Sequence, residues 1–130
     1  ELAKNFPMLL FMVVYAAPII GRLAMVLAIS IFPYARPEGL GKAFSKYATP
    51  KTFFAALIET ILLLLPLYFI DEEIFLTAII ALVAAIIFTL YFGKFATLKL
   101  GGLTGDIYGA VEFLSEVLAL IVFLFGSLHL

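Results

Sequence analysis

Apolar residues fill four stretches of this chain almost without interruption, 8–32, 52–70, 74–92 and 106–128, and polar residues are swept into the segments between them. At about 1.5 Å of rise per residue, each stretch is long enough, as a helix, to cross a hydrocarbon layer of roughly 30 Å with some tilt. The pattern therefore predicts an all-α, polytopic integral membrane helical bundle with about four transmembrane helices. The first stretch carries Pro18 and the pair Gly21-Arg22, which predict a kink or break there.

The connecting segments differ in charge. The first, 34–51, carries Arg36, Lys42, Lys46 and Lys51 against the single acid Glu38, and the third, 93–105, carries Lys94 and Lys99 with no acid. The second, Asp71-Glu72-Glu73, is wholly acidic and short enough to form only a tight hairpin. Because basic loops stay in the cytoplasm, 34–51 and 93–105 are expected there and the acidic turn outside. These assignments alternate as four spans require. Proline and glycine in the first loop (Pro37, Gly39, Gly41) predict ordered turns, with one short interfacial helix over 42–47.

Composition agrees with the pattern. Of 130 residues 65% are hydrophobic and 13% charged, with mean hydropathy +1.23. Ordinary globular domains carry about 25% charged residues. No cysteine is present, which excludes disulfides, thiolate metal sites and a cysteine nucleophile. The only histidine, His129, lies at the chain end, away from any bundle interior. Neither a Walker loop, a nucleophile elbow nor a dinucleotide fingerprint occurs, and nothing points to nucleic acid. No repeat or domain boundary is apparent, so 1–130 reads as a single transmembrane helical domain. Glu1 is not an initiator Met and lacks the basic start of a signal peptide, so the chain reads as a piece of something longer.

Against this background the stretch 100–116 stands out, with Gly101, Gly102, Gly105 and Gly109 beside Asp106, Glu112 and Glu116 where a loop turns into an apolar helix. At about 100° per residue, Glu112 and Glu116 share a face one turn apart, and Asp106 lies within about 120° of both, in a sector with Gly105 and Gly109. Three carboxylates on a surface kept low by glycine are expected to look inward together and to hold a hard cation such as Mg²⁺. The plainer reading is a helix-capping Asp106 and a packing notch at Gly109 and Ala110.

Arg22 lies about 15 Å along the first helix from its cytoplasmic end, too deep for easy snorkelling, and is expected to pair with Glu112 and Glu116 at comparable depth. Such a pair is either structural or one wall of a polar cavity in which the guanidinium grips phosphate. Glu59 is a further intramembrane carboxylate, flanked by the small Ala55 and Ala56. The run Pro33-Tyr34-Ala35-Arg36-Pro37-Glu38-Gly39-Leu40-Gly41-Lys42, with Lys46 beyond it, suits the phosphates of an anionic substrate, with Tyr34 for stacking; the same cations also serve as topology signal and lipid anchors.

Gly21-Arg22 with Met25, then Pro33-Tyr34-Ala35-Arg36 with Gly39-Leu40-Gly41, then Gly101-Gly102-Leu103-Thr104-Gly105-Asp106 with Gly109-Ala110 and Glu112 to Glu116, come in an order and spacing that resemble the cobalamin synthase family, the adenosylcobinamide-GDP ribazoletransferases. The resemblance covers essentially the whole chain but only the C-terminal half of the family. It implies a multi-pass phosphotransferase of the cell's inner or plasma membrane, joining adenosylcobinamide-GDP with α-ribazole, or its 5′-phosphate, to give adenosylcobalamin, or its phosphate, and GMP, with Mg²⁺ as cofactor. On that resemblance Asp106 is the candidate metal ligand or acceptor-positioning base, with Glu112 and Glu116 as further acids at the metal. Arg22, Tyr34, Arg36, Gly39, Gly41, Lys42, Lys46 and Gly105 are the candidates for substrate binding. The N-terminal half, which in the family carries an acidic motif supplying most metal ligands, is absent, so the fragment is expected to be inactive alone; an oligomer is compatible with this reading. Two rivals from other classes remain. One is a transporter or channel subunit using Arg22, Glu59, Glu112 and Glu116 as an ion or proton path, and the other is a purely structural subunit.

Overall fold

A computed structural model describes residues 2–32 and 50–129, with side chains over 10–32 and 50–126. The chain forms four helices: α1 (Leu2–Ile31), α2 (Pro50–Ile70), α3 (Glu72–Leu100) and α4 (Gly105–His129). All four are long and apolar enough to cross a membrane, and this is a multi-pass membrane protein. Large apolar side chains such as Phe11, Phe54, Phe69 and Phe113 stand exposed, the reverse of a water-soluble surface and the proper face toward lipid.

α1 and α3 form the central pair. Each touches the other and both remaining helices, so α2 and α4 flank them. The seams are built from small residues, Ala16, Ala17, Ala24 and Ala28 on α1 and Ala78, Ala81 and Ala85 on α3, all buried. Lipid offers no hydrophobic reason for helices to associate, so close backbone approach must supply the contact energy. Three glycines mark the tightest points. A Cβ added at Gly93 would run into the ring of Phe32, one at Gly126 would lie 2.8 Å from Cγ2 of Thr77, and Gly21 faces α4 in the same manner.

The helix ends differ from the sequence pattern in ways that matter. α1 starts at Leu2 and continues through Pro18 and Gly21, where a break was expected. α3 runs on past Phe92 to Leu100, so Lys94 and Lys99 are exposed on the last turns of a helix rather than in a loop. At about 43 Å, α3 is longer than a hydrocarbon core of roughly 30 Å. The acidic hairpin is tighter than three residues. Asp71 alone separates α2 from α3 and caps α3, its carboxylate accepting from the backbone N–H of Glu73 at 3.0 Å and of Ile74 at 3.5 Å.

Pro66, inside α2, has no N–H to offer the preceding turn. The carbonyl that loses its ladder donor to Pro66 is that of Leu62; the one beside it, of Leu63, accepts a hydrogen bond from the Tyr15 hydroxyl of α1 at 2.6 Å. The buried hydroxyls of Thr77 and Thr89 bond back to the carbonyls of Glu73 and Ala85 within α3.

Candidate functional site

Residues 101–104 set the geometry of the α4 start. Gly101 closes α3 in the left-handed region, φ 82°, its N–H donating to the carbonyl of Thr97 at 2.8 Å. Gly102 and Leu103 are buried, and Leu103 joins Ala24, Ala28, Ala96, Tyr108 and Val111 in a small apolar cluster that holds the ends of α1 and α3 against the start of α4. Thr104 then caps α4, its Oγ1 accepting from Ile107 N–H at 3.4 Å and its carbonyl from Tyr108 N–H at 3.0 Å. Asp106 follows at the second helical position, where the helix dipole favours a negative charge. The capping role falls to Thr104 instead of Asp106.

From this start α4 buries Tyr108, Val111, Ser115, Ala119 and Phe123. Glu112 and Glu116 lie on the shoulder of that buried stripe, each half-buried, while Gly105, Asp106 and Gly109 are exposed. The three carboxylates and two glycines thus share one side of α4, as their spacing requires. They do not look into the four-helix core, however. Among the described residues no atom lies within 4 Å of a Cβ built at Gly105 or Gly109, so Gly109 is no packing notch within these four helices.

The notch is Gly21 on α1. A Cβ there would lie 2.5 Å from Cγ and 3.2 Å from Cδ of Glu116, and 2.9 Å from the backbone oxygen of Glu112. This contact puts Gly21, and Arg22 beside it, at the depth of both glutamates. The expected ion pair does not form, and among the described residues none joins Arg22 to Glu112 or Glu116. Arg22 is exposed, because one step along a helix turns the side chain by about 100° away from the seam. Glu59 is exposed on α2 and is not gathered with the α4 acids.

Among the described residues no group of three or more His, Cys, Asp or Glu is arranged to hold a metal ion. Tyr34, Arg36, Gly39, Gly41, Lys42 and Lys46, with the helix expected over 42–47, lie outside the described residues. Gly21 as the seat of Glu116 was missed by charge-based reasoning. The available signal was a glycine inside an apolar helix, where it costs about 1 kcal/mol relative to alanine unless a close approach requires it.

The chain spans under half the length of the curated relatives it matches. It is 40% identical over 107 residues to a protein of Roseiflexus sp. (strain RS-1) named adenosylcobinamide-GDP ribazoletransferase, covering 82% of this chain and 38% of that one. Proteins of the same name from Desulfitobacterium hafniense (strain Y51) and Chlorobium chlorochromatii (strain CaD3) are 35% identical over 120 residues and 41% identical over 109. They cover 92% and 83% of this chain, and 45% and 42% of their own. No solved structure matches. The family model for cobalamin-5-phosphate synthase matches residues 1–124, and the chain belongs to that family.

Proposed function

We propose that these four helices are part of an adenosylcobinamide-GDP ribazoletransferase, the C-terminal half of a longer membrane enzyme, and that the open side of α4 faces its reaction site. The observation that carries this reading is the ladder Asp106, Glu112 and Glu116 along one side of α4, exposed at Asp106 and half-buried beside α1 at Glu112 and Glu116. Carboxylates are costly at membrane depth and by default mark function. Gly109 on the same side weakens the helix by about 1 kcal/mol relative to alanine, and no contact among the described residues offsets that cost. A substrate or further chain approaching the α4 backbone accounts for both.

In the proposed reaction an acceptor oxygen of α-ribazole, or of its 5′-phosphate, attacks the phosphorus that stays with cobinamide. The new P–O bond forms as the bond to GMP breaks. Asp106, exposed at the mouth of α4, takes the acceptor proton, and Glu112 and Glu116 hold the negative lining deeper along the helix. Magnesium, which the family resemblance implies, would need ligands beyond this chain's carboxylates, which contribute to its site without completing it. Arg22 and Arg36 would meet donor phosphates, with Tyr34, Gly39, Gly41, Lys42 and Lys46 at the same mouth. The ends of α3 and α1 that carry Lys94, Lys99 and the basic segment would lie in the cytoplasm. No observation favours an ion path through these helices.

The test is turnover of the full-length enzyme in liposomes with adenosylcobinamide-GDP, α-ribazole and Mg²⁺, following GMP and the corrinoid product. Asp106→Asn is expected to lower turnover about 100-fold or more, as removal of an acid–base group does. Near-normal turnover in that variant would remove Asp106 from the reaction.

A further inference from the structure

We propose that Gly21 is a positioning residue for the α4 carboxylates, its missing side chain forming the seat across which the stem of Glu116 lies. The inference rests on the reading that Glu116 serves the transferase reaction. Gly21 is buried, and the nearest atoms to a Cβ built on it are Cγ of Glu116 at 2.5 Å, the Glu112 carbonyl oxygen at 2.9 Å and Cδ of Glu116 at 3.2 Å. Two of those three atoms belong to a side chain that has a charged end to direct, and the third to the backbone that carries the other glutamate.

These contacts divide the effect of adding a methyl group. The Glu112 oxygen is backbone, so it moves only if α4 moves away from α1. The Glu116 stem can swing about its own torsions, and in doing so it carries the carboxylate to a new place. Reacting groups must be held to within about half an ångström of their productive position. A swing of the stem therefore changes chemistry well before it unfolds the helix pair. The other two close glycines lack this coupling, since Gly126 faces Thr77 and Gly93 faces Phe32. Gly126 is thus a matched control, a close glycine on α4 whose neighbour carries no charge.

The experiment compares Gly21→Ala, Gly126→Ala, Glu116→Gln and the double variant Gly21→Ala/Glu116→Gln in the full-length enzyme, reading kcat, donor KM and thermal midpoint in detergent. Expected is a fall of at least tenfold in kcat for Gly21→Ala, with the donor KM changed less than threefold. Gly126→Ala is expected to show a comparable fall in midpoint with kcat within twofold of the parent. In the Glu116→Gln background, Gly21→Ala is expected to lower kcat less than twofold further while its effect on the midpoint persists, the signature of two residues acting through one group. If Glu116→Gln turns over normally, the reading of Glu116 itself fails, and the seat with it. If Glu116→Gln is slow but Gly21→Ala loses no more kcat than Gly126→Ala, Glu116 stands and the proposal for Gly21 is overturned. Should Gly21→Ala not accumulate, Glu116→Asp with Gly21 intact draws the carboxylate back by one methylene along the same seat. A tenfold fall is expected there, and normal turnover overturns the proposal.

Discussion

The Tyr15 hydroxyl donates to the carbonyl oxygen of Leu63 at 2.6 Å, three residues before the proline that interrupts the α2 ladder. In water such a carbonyl would be solvated for nothing. In lipid a second donor must come from a neighbouring helix, and here Tyr15 supplies it. Tyr15→Phe is expected to lower unfolding free energy by about 1 kcal/mol, the net worth of one hydrogen bond. Pro66→Ala restores an N–H for the Leu62 carbonyl and not for Leu63, so it should leave the Tyr15→Phe penalty within about 0.5 kcal/mol of its value, which a double-mutant cycle on denaturant unfolding in micelles would read.

Gly93→Ala reverses the usual sign of a helix-interior substitution. Alanine is ordinarily better than glycine by about 1 kcal/mol. Here the added methyl would meet the Phe32 ring, and the expected result is destabilisation of about 1–3 kcal/mol from overpacking. Removing the ring in the double variant Phe32→Ala/Gly93→Ala should return part of that loss. A thermal midpoint for Gly93→Ala equal to or above the parent would show that the α1 end does not sit on α3 as described.

Asp71→Ala removes the side chain that accepts from Glu73 and Ile74 in the first turn of α3, and its expected cost is about 1 kcal/mol. Asp71→Ser should recover most of it, because the cap needs an oxygen rather than a charge. Amide hydrogen exchange at Glu73 and Ile74 reports the change locally, and equal protection in parent and Asp71→Ala would contradict the cap.

Much of this architecture was legible in the sequence, since a run of apolar residues long enough to span has few alternatives to a helix. The tight acidic hairpin and the shared side of Asp106, Glu112 and Glu116 followed from spacing alone. Helix ends were not legible, because hydropathy marks where hydrocarbon is and not where the backbone ladder stops. Lys94 and Lys99 ended the apolar run without ending α3. Arg22 shows the other limit. Its depth beside Glu112 and Glu116 was readable from residue counting, but its direction around α1 depends on which face meets α4, and that face is set by Gly21. Gly109, by composition the obvious notch, touches nothing in these helices, whereas Gly21 carries the contact.

The short link at 101–104 has a kinetic side. Gly102 and Leu103 are buried within it and Thr104 caps the helix that follows, so the chain loses its freedom there when the helices pack. Fixing a backbone residue costs about 1–2 kcal/mol of conformational entropy. That loss is taken during folding, and the Asp106 main chain has no loop to order when a ligand arrives. On the proposed function, a ligand approaching α4 would meet a carboxylate whose backbone is already ordered, with that part of the entropy cost met in folding rather than in binding.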